Sequence, residues 1–295
     1  MSTNANSDSS SQSDAAKSPN VSSTEPAVLT YSSVQYSSDA STNVMEIVVP
    51  SGSAVPVPVV VLIYGGGWKW CDRTSFADKH LWLAKLGYAS AAIDYRVSVI
   101  APFPAAVQDC KCAIRFLRAH AAAYNVDPDR IAAWGNSAGG NLSAMLGTTA
   151  GVKELEGDGG WQNYSSSVQA VVDFFGPSDL KSQVEFPGQT EATIAIIQEY
   201  LMAPPGQFDK IAAEASPLTY AGKRHDPSFL IIQGDSDSIV PLDQSQRLYD
   251  RLKEYENDVH LKLIPGAVHG GWHYDDPEIA ALQEAFLNRT LRGGK

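Results

Sequence analysis

A serine hydroxyl is a weak nucleophile until a neighbouring base takes its proton, and that base works only when an acid holds it in place. In the stretch Trp134-Gly-Asn-Ser-Ala-Gly-Gly140, Ser137 stands between glycines directly after the apolar run Arg130–Trp134. Small neighbours are what a sharp strand-to-helix turn requires, and the helix it would open, Ser137–Leu146, adds a partial positive charge beside any developing anion. Of six histidines, His269 is the best placed base, in the loop Pro265-Gly-Ala-Val-His-Gly-Gly271 that follows an apolar run ending at Ile264. His273 is its rival four residues on. His80 and His120 fall in expected helices, His225 in a polar approach to a strand and His260 at a strand start, so each reads as structural. For the acid, Gln233-Gly-Asp-Ser-Asp-Ser-Ile-Val-Pro241 offers Asp235 and Asp237 after another apolar run, with Asp173 and Asp179 as lesser candidates. The chain order of serine, then aspartate, then histidine is one of the orders in which such a relay occurs.

A fourth element completes the constellation. Tyr64-Gly-Gly-Gly-Trp68 closes an almost wholly apolar run, VPVPVVVLIY. Glycines there let backbone N–H groups approach a ligand, and with the N–H of Ala138 they form a set of donors for the oxyanion of a tetrahedral intermediate. A phosphate loop is the competing reading, but the run lacks Lys-Ser/Thr and the glycine spacing of a dinucleotide fingerprint.

These residues need a scaffold that sets strand ends side by side. Tyr31–Tyr36 and Asn43–Val49 read as strands of an antiparallel edge, and Val55–Tyr64 as a central strand buried on both faces. Comparable runs recur at Tyr88–Tyr95, Arg130–Trp134, Val168–Phe175, Ser228–Gln233 and Val259–Ile264. Helical stripes lie between them: Val107, Cys110, Ile114, Leu117 and Ala121; Leu248, Leu252 and Tyr255; Ile279, Leu282 and Phe286. Strands alternating with helices predict a doubly wound α/β fold with a mostly parallel sheet, in which the ligand site lies beyond the carboxyl ends of the strands. From Leu180 to Ala215 the rhythm breaks into a helical patch (Glu191–Met202), a Pro-Pro-Gly interruption and a second short helix, which predicts a cap insertion over the site.

With 295 residues, 44% of them hydrophobic, the chain can bury one large core, and the expected organisation is a polar leader over 1–26 and a catalytic domain over 27–295. The leader's Ser, Asn, Asp and Pro content cannot repay the entropy of ordering. A formal charge of −11 disfavours nucleic acid as a partner, and no run of about 20 apolar residues suits a membrane span. Three cysteines make no disulfide framework; free thiols are expected, with a bond from Cys71 to Cys110 or Cys112 as the alternative. No Cys/His spacing suggests zinc.

Taken together, the motifs YGGGW, IDYRVSVIAPFPAAVQDCKCAIRFLRAHAAAYNVDPDRIAAWGNSAGG, AVVDFFGPSDL, EASPLTY, QGDSDSIVP and GAVHGG resemble the α/β-hydrolase superfamily from about Ser32 to Leu291. The likeness is to the acetyl and feruloyl esterase-like (BD-FAE-type) carboxylesterases related to the hormone-sensitive lipase group. It implies Ser137 as nucleophile, Asp237 rather than Asp235 as acid, His269 as base, and Gly66, Gly67 and Ala138 as oxyanion donors. It further implies a small-molecule or carbohydrate ester as substrate, with short acyl groups or carbohydrate and aromatic alcohols favoured, and no cofactor or metal. Trp68, Trp70 and Phe103 are expected near the glycine loop, with Trp68 and Phe103 lining a substrate pocket. An arylformamidase, a lipase or polyester hydrolase, and a peptidase share the same machinery, and a catalytically silent binding module shares the fold. Two positions depart from the family's usual pattern: Tyr64 stands where His is usual, and Asn136 where Glu, Asp or Ser is common. The leader is similar to the tether behind the lipidated cysteine of bacterial lipoproteins, which implies an exported or surface-tethered protein with its signal removed; otherwise the compartment is the cytoplasm.

Overall fold

The computed structural model describes residues 26–222 and 226–293. The expected leader, apart from Pro26, and His225 lie outside the described residues. Eight strands form one sheet: β1 (Val28–Gln35), β2 (Val44–Pro50), β3 (Val57–Ile63), β4 (Ala89–Ile93), β5 (Val126–Asn136), β6 (Ala170–Phe174), β7 (Ser228–Gly234) and β8 (Val259–Ile264). Their order is β1-β2-β4-β3-β5-β6-β7-β8. β2 runs antiparallel to both of its neighbours, β1 and β4, and the remaining pairs are parallel, so the antiparallel pairing lies at the edge that the residue pattern predicts. The α-helices are α1 (Ala77–Lys85), α2 (Ala105–Ala119), α3 (Ala138–Thr148), α4 (Leu180–Val184), α5 (Glu191–Leu201), α6 (Phe208–Glu214), α7 (Leu242–Glu254) and α8 (Pro277–Arg292).

Every residue of β3 is buried, because both faces of the sheet are covered. Val59, Val61 and Ile63 pack with Ile114, Leu117, Leu142, Met145 and Leu248 from α2, α3 and α7 on one face. Val60 and Leu62 pack with Leu83, Ile279, Phe286 and Leu287 from α1 and α8 on the other. Each such aliphatic side chain contributes about 1.5–3 kcal/mol on leaving water, so the two layers together hold the strand ends in fixed register.

Two local expectations need correction. The strand expected at Arg130–Trp134 begins at Val126: Val57 pairs with Val126 and Val59 with Ile131, so the polar Asp127-Pro-Asp-Arg segment bulges out and rejoins the ladder. Tyr255 caps α7 and is 48% exposed, whereas Leu248 and Leu252 are fully buried, so that stripe ends one turn earlier than its spacing suggested. Cys71, Cys110 and Cys112 are free thiols; Cys71 Sγ lies 3.5 Å from Ile93 O and Asp94 Oδ1.

The loop after β4 is pinned by an ion pair. Asp109 of α2 is fully buried and accepts from Arg96 N at 2.8 Å, Nε at 2.9 Å and Nη2 at 2.7 Å. Removing one partner of such a pair strands the other charge in low-dielectric surroundings. Asp109→Ala is expected to lower unfolding free energy by about 3 kcal/mol; a urea midpoint unchanged from wild type would contradict this.

Candidate active site

Ser137 is the single residue between the end of β5 and the start of α3, with φ 55° and ψ −122°, a backbone region that side chains rarely occupy. The strain persists because the surroundings over-determine it. Ser137 N donates to Phe174 O at 2.8 Å, and its carbonyl accepts from Asn141 N at 3.0 Å. The glycines on either side are there for space: a Cβ on Gly139 would stand 2.0 Å from Ile63 O, and one on Gly135 would stand 2.1 Å from Gly139 O. The helix therefore lies directly on the ends of β3 and β5, and its first residue, Ala138, follows the serine directly.

The loops after β7 and β8 bring the other two residues in. His269 Nε2 lies 2.9 Å from Ser137 Oγ, and His269 Nδ1 lies 2.8 Å from Asp237 Oδ2. The Asp237 side chain is fully enclosed. Its Oδ1 accepts from Ile239 N and Val240 N, both at 2.9 Å, and its Oδ2 also accepts from Gln233 Nε2 at 3.1 Å. These N–H groups take the place of the water that enclosure removes from the carboxylate. Asp235, by contrast, is exposed and accepts from Gly266 N at 2.7 Å, fastening the β8 loop to the β7 loop. His273 sits in the short turn Trp272–Asp275, His80 is buried in α1 against Ser90, and His260 is exposed on β8.

The glycine loop lies across from this row. Gly66 and Gly67 have φ of 74° and 60°, and neither amide donates to a backbone carbonyl among the described residues; nor does Ala138 N at the start of α3. Tyr95 Oη holds the loop from beneath, 3.0 Å from both Tyr64 O and Gly65 O. Together with Ser137 and His269, Gly66, Gly67 and Ala138 line a cavity of about 350 Å³. Its remaining wall is mostly apolar: Trp68, Ile196, Ile197, Ile239 and Val240. α5 presses close enough that a Cβ on Gly67 would meet Ile196 at 2.8 Å.

Trp68 lines the cavity, and its ring stacks on Tyr200 of α5 at 4.3 Å. Phe103 does not line it. Its ring meets the edge of Tyr200 at 6.0 Å, one aromatic layer back from the cavity. Trp70 is 61% exposed and faces a different depression beside Lys69 and Arg73. Tyr95, Gln233 and Tyr200 support the site and were not singled out from sequence. Tyr95 lies within the quoted IDYR stretch and Gln233 directly before the Gly-Asp-Ser-Asp loop, but which carbonyl or carboxylate each reaches is a matter of long-range geometry.

Asp173 and Asp179 are placed elsewhere. Asp179 caps α4 by accepting from Ser182 N at 3.1 Å. Asp173, opposite Gly135 on β6, is buried, and its Oδ1 accepts from Gly176 N at 2.9 Å. Burial pushes its carboxyl up to about 7.

The segment of residues 45–252 matches the BD-FAE family model. Among curated proteins, the chain is 30% identical over 242 residues to esterase LipC of Mycobacterium tuberculosis, covering 80% of this chain and 59% of that one. It is 26% identical to the isoprenylcysteine α-carbonyl methylesterase ICME of Arabidopsis thaliana, covering 87% and 57%. The chain thus spans little more than half the length of these relatives. Among solved structures, a truncated carbohydrate esterase from gut microbiota superposes with a TM-score of 0.81 at 30% identity, covering 91% of this chain and 98% of that one. A bifunctional GH43-CE protein of Bacteroides eggerthii superposes at 0.80 with 31% identity, covering 88% and 38%.

Two substitutions test this geometry. Tyr95→Phe removes the one hydroxyl shared by the Tyr64 and Gly65 carbonyls and should cost about 1–3 kcal/mol in urea unfolding; an unchanged midpoint would show that the glycine loop is held by other contacts. For Asp173, the folded carboxyl holds its proton to about pH 7, whereas an unfolded one releases it near pH 4. Stability from this group is therefore full at low pH and lost as pH rises from about 4 through 7, reaching about 4 kcal/mol above that window. Asp173→Asn should accordingly gain about 2.5 kcal/mol more over wild type at pH 8 than at pH 5, and a pH-independent difference would rule out this account.

Proposed function

The chain belongs to the BD-FAE family of α/β-hydrolases, and on that premise we propose that it is a serine carboxylesterase acting through Ser137, His269 and Asp237. The observation that carries the reading is the hydrogen-bonded row from Ser137 Oγ to His269 Nε2 at 2.9 Å and from His269 Nδ1 to Asp237 Oδ2 at 2.8 Å. With Nδ1–H donated to Asp237, Nε2 is left to accept the serine proton. The Ser137 alkoxide then attacks the ester carbonyl. The oxyanion that forms takes hydrogen bonds from the amides of Gly66, Gly67 and Ala138; removing one such donor typically costs roughly 3 kcal/mol of transition-state stabilisation. Protonated His269 hands its proton to the departing alcohol oxygen, leaving an acyl-enzyme on Ser137. Water enters, gives a proton to His269 and hydrolyses the acyl group, and the serine is restored.

Substrates with a short acyl group are favoured, because α5 closes the apolar cavity at Ile196 and Ile197. In this reading the segment 180–215 is a cap whose α5 is fastened by Glu199 to Lys69 at 2.6 Å and to Ser98 at 3.0 Å. An acyl ester of a carbohydrate is the substrate class we favour, supported by the likeness to the two carbohydrate esterase structures.

Ser137→Ala is expected to remain folded and to lose at least about a thousandfold of kcat/KM toward p-nitrophenyl acetate. A fluorophosphonate should label wild type at Ser137 and leave the variant unlabelled. Turnover retained in the variant would overturn the assignment, and a folded wild type that neither turns over nor labels would make the fold a binding module.

A further inference from the structure

Beside the cavity at Ser137 lies a second one of about 440 Å³, which the mechanism above does not use. Asn136, Phe175 and Gly270 line both, so the two are contiguous across the residue before the serine and the residue after the histidine. Aromatic residues make half of the second cavity's lining: Tyr64, Phe76, Trp134, Phe174, Phe175 and Tyr274. Tyr64 and Asn136 both face it.

One cation also lines it. Lys79 Nζ sits 4.7 Å from the ring centroid of Trp82 and 4.8 Å from that of Trp134. No carboxylate lies within ion-pair distance of it among the described residues; exposed Asp275, on the same cavity wall, acts on it only at longer range. Burial lowers its ammonium to about 8, which still leaves it mostly protonated at neutral pH and poorly hydrated. In a chain of formal charge −11, whose long-range field repels anions, such a group is what would admit one here.

On the reading of Ser137 as nucleophile and His269 as acid to the leaving oxygen, the alcohol part of the substrate must pass His269, and so Gly270 and Phe175. We propose that the second cavity is the alcohol-side subsite, and that it takes a ring carrying a carboxylate, with its face on the aromatic wall and its carboxylate on Lys79. A flat aromatic ring and the apolar face of a pyranose both suit such a wall, so the shared chemistry is a hydroxybenzoate or a uronate esterified at a ring hydroxyl.

Two matched pairs of esters test this. One is 4-acetoxybenzoate against its methyl ester; the other is an acetylated methyl galacturonoside against the corresponding acetylated methyl galactoside. The quantity read is the ratio of kcat/KM for the anionic member to that for the neutral one. Lys79→Met should lower this ratio about tenfold in at least one pair, while Lys79→Arg retains it, and the pair that responds identifies the ring. Should Lys79→Met fold poorly, Lys79→Gln serves; in wild type alone, 4-hydroxybenzoate should inhibit more strongly than its methyl ester if the aryl ring is the occupant. A ratio that ignores Lys79→Met in both pairs, with the neutral esters still turned over, overturns the subsite and leaves the nucleophile assignment standing. Turnover that survives Ser137→Ala overturns the assignment and the subsite with it.

Discussion

The close approach of α3 to the ends of β3 and β5 is the constraint on which the rest of the site depends. With Gly139 against Ile63 O and Gly135 against Gly139 O, there is no room for a single methyl group at either position. The chain can then turn from strand to helix in one residue, and that residue must adopt a positive φ that costs on the order of 1–3 kcal/mol. The strain is offset by hydrogen bonds to Phe174 and Asn141 and by the buried layers on both sides of the sheet. Its result is a hydroxyl lifted clear of the strand and set beside the amide of Ala138, with the Gly66 and Gly67 amides across the same cavity.

Three carboxylates on neighbouring strand ends show how environment alone assigns different roles to one functional group. Asp237 is enclosed, but two backbone amides and Gln233 supply the hydrogen bonds that water would have given, so it remains suited to hold an imidazolium. Asp173 is equally enclosed and receives only the Gly176 amide, so burial dominates and its proton is retained to about pH 7. Asp235 is exposed and ties two loops together. One residue, Ser236, separates Asp235 from Asp237, and the turn through it decides which one points inward.

The fold and most of the site were legible in the sequence because both rest on local or periodic signals. Every expected strand from Tyr31 to Ile264 has a counterpart, since an apolar run of five to eight residues between turns has little else it can become in a doubly wound sheet. Where a signal was interrupted, the reading failed: the polar residues 127–130 hid the first part of β5, and Tyr255 continued a spacing that the helix itself does not. Phe103 stands outside the cavity lining for a different reason. Its nearness in sequence to the site says nothing about the Tyr200 ring, supplied by α5 about a hundred residues later, that stands between it and the cavity.

What the sequence by itself determined is the set of strand ends, the glycines that allow a tight turn, and the chain order of Ser137, Asp237 and His269, because each follows from residue type, period or spacing. Only the tertiary structure decided that Asp237 and not Asp235 meets His269, that Tyr95 braces the glycine loop, and that Lys79 stands between two tryptophans beside a second cavity. These depend on loops from distant parts of the chain converging to within hydrogen-bond reach. Such convergence is set by how the layers pack, and no local pattern encodes it.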